Sequence, residues 1–187
     1  MLQISGVPGS RRVLREMRRP YSPEYYVNLA HSIREKLFDA SIGADVMIGF
    51  PGETDEEFEE TLKLVDEVRY AAAFSFKFSA RPGTPAATME NQVAPEVMDE
   101  RLQRLQAALD RHRLSFNQAS VGKRCEVLVE RRGKLPAQWL GKSPWLQSVH
   151  FSGPEAKDTA IGDIVRVMLA EAGPNSLSGR LLQSAHA

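Results

Sequence analysis

Asp45-Val46-Met47-Ile48-Gly49-Phe50-Pro51-Gly52-Glu53-Thr54 decides how the first part of this chain folds, because an apolar run ends there in a turn and a helix start signal follows at once. Val46 to Ile48 predict a buried parallel strand: a short continuous apolar run suits a strand covered on both faces, and this one is too short for a helix. Gly49, Pro51 and Gly52 let the backbone turn tightly and come close to a ligand. Thr54-Asp55-Glu56-Glu57 fits a capping box, with Thr54 as N-cap and Glu57 at N3. In open or barrel α/β folds such a loop sits at the carboxyl end of a strand, where ligands bind, although the same letters also suit an ordinary βα turn.

Working outward, Ser22-Pro23-Glu24 places an N-cap, an N1 proline and an early acid in order, and Tyr26, Leu29, Ile33 and Leu37 give the following helix one apolar face that ends before Gly43. The helix after Thr54 carries the stripe Phe58, Leu62, Val65 and Val68. Phe74-Ser75-Phe76-Lys77-Phe78 alternates with period two and predicts another strand. Helix, strand, helix, strand with short connections is the alternation of a parallel sheet or barrel. Only about two strands are legible, fewer than a stable parallel sheet needs, so the chain reads as if it begins inside a domain.

Arg81-Pro82-Gly83-Thr84-Pro85 is a loop. Pro95 opens a long helix with Met98, Leu102, Leu105, Leu109, His112 and Phe116 at helical spacing, stopping near Gly122. His112 reads as a packed or half-exposed helix residue, since no Cys, His or Asp lies at metal-ligand spacing from it. From 122 the texture changes to five short runs, Cys125–Glu130, Ala137–Leu140, Val149–Phe151, Ile164–Leu169 and Leu177–Leu182, which predict a small β-barrel. Lys123, Arg124, Arg131, Arg132, Lys134, Lys142, Arg166 and Arg180 surround Trp139, Trp145, His150 and Phe151. Cations for phosphates and aromatics for unpaired bases are what single-stranded RNA recognition requires. Trp139, inside a strand, is expected in the core.

The composition agrees. A chain of 187 residues with 42% hydrophobic content buries a real core and has room for one domain or two small ones. No apolar run approaches the roughly 20 residues that span a bilayer, and the first residues lack the order of a signal peptide, so no membrane association and a cytosolic location are expected. The single cysteine, Cys125, excludes an internal disulfide and fits a reducing compartment. The net charge of zero divides into 15 basic against 18 acidic residues over 1–121 and 9 against 6 over 122–187. The second segment is therefore modestly basic, which permits a polyanionic partner without requiring one.

Taken together these motifs resemble the C-terminal part of the radical S-adenosylmethionine methylthiotransferases, with the MiaB type nearest. The resemblance runs over nearly the whole chain. It is carried by Asp45 to Thr54, by Phe78-Ser79-Ala80-Arg81-Pro82-Gly83-Thr84-Pro85-Ala86, by Gln92-Val93 before Arg101-Leu102-Gln103-Arg104-Leu105, and by Asn175-Ser176-Leu177-Ser178-Gly179-Arg180. It implies an α/β fold: the C-terminal portion of a partial TIM-like βα barrel over 1–121, followed by a small all-β TRAM domain that binds RNA over 122–187. Gly141-Lys142-Ser143-Pro144-Trp145-Leu146-Gln147-Ser148-Val149-His150 resembles the MiaB-type version of that module. The implied function is methylthiolation of an isopentenylated adenosine at position 37 of tRNA, in the anticodon stem-loop, using S-adenosylmethionine and two 4Fe-4S clusters. A RimO-type fragment, which would modify a ribosomal protein, and a non-catalytic tRNA-binding module are the alternatives.

The resemblance also assigns residues. Val13-Leu14-Arg15-Glu16-Met17-Arg18-Arg19 matches the helix whose arginine pairs with the methionine carboxylate, and the position falls on Arg19, otherwise a surface residue in a basic run. Asp45 matches the acid that accepts from the ribose hydroxyls, and Gly49, Phe50 and Pro51 border the adenine. A guanidinium fork suits a carboxylate, and a carboxylate suits two vicinal hydroxyls. Arg81 falls at the mouth of the site or on a phosphate. Lys123, Lys142, Trp145, His150 and Arg180 are the residues implied for RNA. Two departures stand out. Cluster ligation needs three thiolates in a CxxxCxxC run, and this chain has one cysteine, so it is expected to be inactive alone and part of something longer. The family's Leu-Gln-Ser-Gly-Ser is here Gly6-Val7-Pro8-Gly9-Ser10, which loses a polar pair.

Overall fold

The computed structural model describes residues 1–4, 8–153, 156 and 158–182. They fall into two compact units, one of Leu2–His112 and one of Arg113–Ala187 together with Met1. The polar pair is expected at Val7 and Pro8; Val7 lies outside the described residues, and Pro8 is buried.

The first unit runs β1 (Leu2–Ile4), α1 (Arg11–Glu16), α2 (Pro23–Lys36), β2 (Ile42–Ile48), α3 (Asp55–Val68) and β3 (Ala72–Lys77), then a single 3-10 turn over Pro85–Thr88. Each helix begins where a hydroxyl can cap it. The Ser10 and Ser22 hydroxyls accept from the N–H groups of Val13 and Tyr25, both at 3.2 Å. At α3 the expected capping box is complete: Glu57 N–H donates to the Thr54 hydroxyl at 3.2 Å, and Thr54 N–H donates to the Glu57 carboxylate at 3.0 Å.

The strands form a parallel sheet in the order β1-β2-β3. The third strand, β1, is a correction to the two-strand reading; at three residues it carries too little pattern to be seen in the sequence. Ile42, Ala44, Val46 and Ile48 point to the helix-covered face and join Leu14, Tyr26, Phe58, Val65 and Val68 in one core. The helix faces differ slightly from expectation. In α2 the buried residues are Tyr26, Val27 and Ala30, while Leu29 and Leu37 are exposed; in α3 Thr61 and Leu64 are buried and Leu62 only partly. The other face of the sheet is open: Gly43 lies beside Ala72, Asp45 beside Phe74 and Met47 beside Phe76 in register, so these side chains share it.

Helix α4 (Pro95–Ser120) gives Leu105, Ala108 and Leu109 to the first core and Phe116 to that of the second unit. The second unit is a closed barrel of β4 (Arg124–Arg132), β5 (Trp139–Lys142), β6 (Ser148–Ser152), β7 (Ile164–Ala172) and β8 (Leu177–Leu181), in the order β4-β5-β6-β8-β7. All neighbours are antiparallel except β6 and β8. Alternation sends Cys125, Val127, Val129, Val149, Phe151, Val167, Leu169 and Leu177 inward. Both tryptophans join them, and the Trp139 indole N–H reaches the Ala156 carbonyl at 3.1 Å.

Candidate functional sites

In the first unit the residues expected to form a cofactor wall take three different places. Arg19 and Phe50 come together in an open pocket of ≈ 670 Å³, lined also by Arg15, Glu16, Arg18 and Thr84. It lies beyond the carboxyl ends of β2 and β3, where ligands of parallel sheets sit. Phe50 is held there by the edge of Phe78, ring centroids 5.5 Å apart. The pocket joins guanidinium groups to an apolar floor, a pairing that suits a carboxylate at one end of a ligand and a ring at the other. Asp45 stands apart on the open face of the sheet, where the Gln3 side-chain amide donates to it at 2.8 Å.

Gly49 and Pro51 are buried and do not line the pocket. Gly49 has φ +77°, a left-handed conformation that favours glycine, and a Cβ there would come within 2.6 Å of the Met98 side chain on α4. Its N–H donates to the Glu53 carboxylate at 2.6 Å. Arg101 of α4 then closes the arrangement, reaching Glu53 at 3.0 Å and Asp55 at 2.7 Å. Burial pushes the Glu53 carboxyl up, against the pull of the Gly49 N–H and the Arg101 guanidinium. The pair ties the loop after β2 to α4. Sequence reading passed over both partners, yet Arg101 lies three residues after Met98 and four before Leu105, on the buried stripe, which was the available signal.

On the barrel, strand pairing places Leu140 beside His150 and His150 beside Ser178, and it places Lys142 beside Ser148 and Ser152 beside Arg180. Lys142, His150 and Arg180 therefore point outward along a diagonal over β5, β6 and β8. Arg131 pairs with Leu140 and so extends the same outer row. Burial, followed by the cations Arg131 and Lys134, pushes the His150 imidazole below its ordinary value, and its buried Nδ1 has no partner among the described residues. Lys123 lies elsewhere, its Nζ 5.2 Å from the centre of the Trp145 ring. Trp145 is a correction: at 6% exposure it belongs to the core, so its ring offers no free face for a base. The turn from Ser143 to Leu146, of which it is the third residue, turns it inward and leaves Leu146 outside instead.

The comparisons with known proteins agree with this two-part structure. Residues 5–65 match the model of the Radical SAM superfamily and residues 118–182 that of the TRAM domain. The "tRNA-2-methylthio-N(6)-dimethylallyladenosine synthase" of Novosphingobium aromaticivorans is 66% identical over 173 residues, and that of Erythrobacter litoralis 62% over 176. The match takes in 92% and 94% of this chain but 38% and 39% of those relatives, so the chain spans under two-fifths of their length. Coproporphyrinogen III oxidase (HemN) from Escherichia coli, a radical SAM enzyme, superposes with a TM-score of 0.52 at 16% identity, over 97% of this chain and 45% of its own, which supports the fold alone.

Residues 5–65 are thus similar to a segment of the Radical SAM superfamily and residues 118–182 to a TRAM domain, a combination that defines the class of protein this chain resembles. Within that class it is similar to part of the tRNA-2-methylthio-N(6)-dimethylallyladenosine synthases. An iron-sulfur cluster does not fit this piece, whose one cysteine is buried on β4. Among the described residues no helix is long and apolar enough to cross a membrane.

Proposed function

We propose that the chain is the C-terminal part of a cytosolic tRNA methylthiotransferase, with residues 1–121 forming one wall of the S-adenosylmethionine site and residues 122–187 holding the anticodon stem-loop of tRNA. The outward diagonal Lys142, His150 and Arg180, extended by Arg131, carries this reading: a closed barrel gains nothing in stability from gathering the cations Lys142, Arg180 and Arg131 on one outer face, with the His150 imidazole as a polar contact between them, and a phosphate backbone is what such a face attracts. In the first unit the pocket of Arg19 and Phe50 suits the methionine carboxylate and the adenine of S-adenosylmethionine, with Gly49 and Pro51 flanking Phe50 in the chain. Bound there, the cofactor would supply the radical and methyl chemistry of the superfamily. The chain's own contribution is binding and orientation, and the cluster ligands must come from other residues than these. Asp45 keeps the ribose role in this reading, on condition that Gln3 releases it.

The test is tRNA binding by the 187-residue chain over a salt series. Affinity that falls linearly on a log–log scale, with a slope that shrinks by about one per cation removed in Lys142→Ala and Arg180→Ala, supports the reading. Binding that ignores both salt and these substitutions overturns it.

A further inference from the structure

The loop between β5 and β6 is pinned from both sides. Ser143 N–H donates to the Gln147 carbonyl at 3.0 Å, and the Ser143 hydroxyl accepts from the N–H groups of Trp145 and Gln147 at 3.3 and 3.2 Å. The Gln147 amide in turn donates to Asn117 Oδ1 at 2.8 Å and to the Ser120 hydroxyl at 3.1 Å, while Asn117 donates to the Gly173 carbonyl at 2.9 Å. All four polar side chains are buried. A buried network this complete fixes one loop conformation.

That conformation is strained at one residue. Leu146 N–H closes a turn onto the Ser143 carbonyl at 2.9 Å, with Pro144 in second place and Leu146, at φ +62°, in fourth, the seat that glycine favours. Of the described non-glycine residues with positive φ, Arg18, Arg69, Asn91, Ala137 and Leu146, it is the one large apolar side chain. Packing does not account for it, because Leu146 is 52% exposed while its neighbour Trp145 fills the core. A bulky residue in the left-handed region with its side chain in solvent is an outlier that points to a use outside the fold. Its surroundings say which use. The same hairpin carries Lys142, whose ammonium group bonds the Ser148 hydroxyl at 2.9 Å at the near end of the outward diagonal.

We infer that Leu146 is an apolar contact for an unpaired base of bound RNA, packing on a base face whose phosphates lie along the Lys142, His150 and Arg180 diagonal. Unpaired bases present such faces and paired ones do not. The inference rests on the tRNA reading above. It is tested with the full chain and its Leu146→Asn and Leu146→Gly variants, against an unmodified tRNA transcript and a fully paired RNA duplex. The expected result is that Leu146→Asn melts no lower than the wild type, that both variants bind tRNA about fivefold more weakly, and that the salt slope and the duplex affinity do not change. Variants that bind tRNA as tightly as the wild type, or that lose tRNA and duplex binding equally, overturn the inference and leave the tRNA reading standing. A Leu146→Asn chain that melts lower makes Leu146 structural and also overturns it. A wild-type chain with no salt-dependent tRNA affinity overturns both.

Discussion

Glu57 holds three parts of the first unit at once. Its carboxylate accepts from Arg12 Nη2 at 2.6 Å and Nε at 2.7 Å, from the Ser10 hydroxyl at 2.8 Å and from the Thr54 N–H at 3.0 Å. The Arg12 guanidinium foremost, with the Thr54 and Ser10 bonds behind it, pushes the carboxyl down to about 2 from an ordinary 4.5. A lowered acid pKa stabilises the fold fully above the ordinary value, and that stability drains as pH falls from 4.5 toward 2. With Arg12 partly exposed, the contribution is on the order of 1 to 2 kcal/mol. In Glu57→Gln, which keeps the capping amide and loses the charge, acid unfolding followed by circular dichroism should lose this limb of its pH dependence. The buried Glu53 and Arg101 pair predicts a different pattern. Arg101→Met leaves Glu53 uncompensated and should cost about 3 kcal/mol. Adding Glu53→Gln should recover most of it, as a double-mutant cycle in urea would read. The capping box was legible because its letters are local. Arg101 was not, because counting apolar residues at helical spacing skips a cation that shares their face.

The strand β3 shows what a pattern of letters says and what it leaves out. Its alternation marked a strand correctly, yet Phe74 and Phe76, at 65% and 51% exposure, face away from the core. Period two separates the faces of a strand without saying which is covered; here Ala73, on the opposite face, packs against the core. With Asp45 and Met47 beside them in register, these rings make an apolar face on an open sheet edge. The 187-residue chain should therefore self-associate in light scattering, and a Phe74→Ser, Phe76→Ser double variant should do so less. A monodisperse wild-type monomer would refute this. The hairpin between β5 and β6 gives the complementary lesson. Trp145 and Leu146 are equally apolar letters, and only the left-handed turn, which no periodicity encodes, sends one inside and the other out.

Among the described residues the two hydrophobic clusters share none: one gathers Leu14, Val46 and Val65, the other Val127, Trp139 and Val167. Thermal unfolding should accordingly show two transitions. Val65→Ala should lower only the first unit's and Val127→Ala only the barrel's, each by about 2 kcal/mol; calorimetry showing one shared transition would contradict this. The change of texture at residue 122 made the barrel visible in advance, since five runs separated by turn residues leave few other folds. The order of strands in the ring was not visible, because nothing local marks β8 as the neighbour of β6. That order has a consequence for the protein as it is made. While the chain leaves the ribosome, β6, β5, β4 and β7 can pair in a row, but both ends of that row stay bare until residues 177–181 emerge and slide between β6 and β7. For that interval the nascent barrel is an open sheet with two bare rims, each a template for pairing with another chain until the last strand closes it.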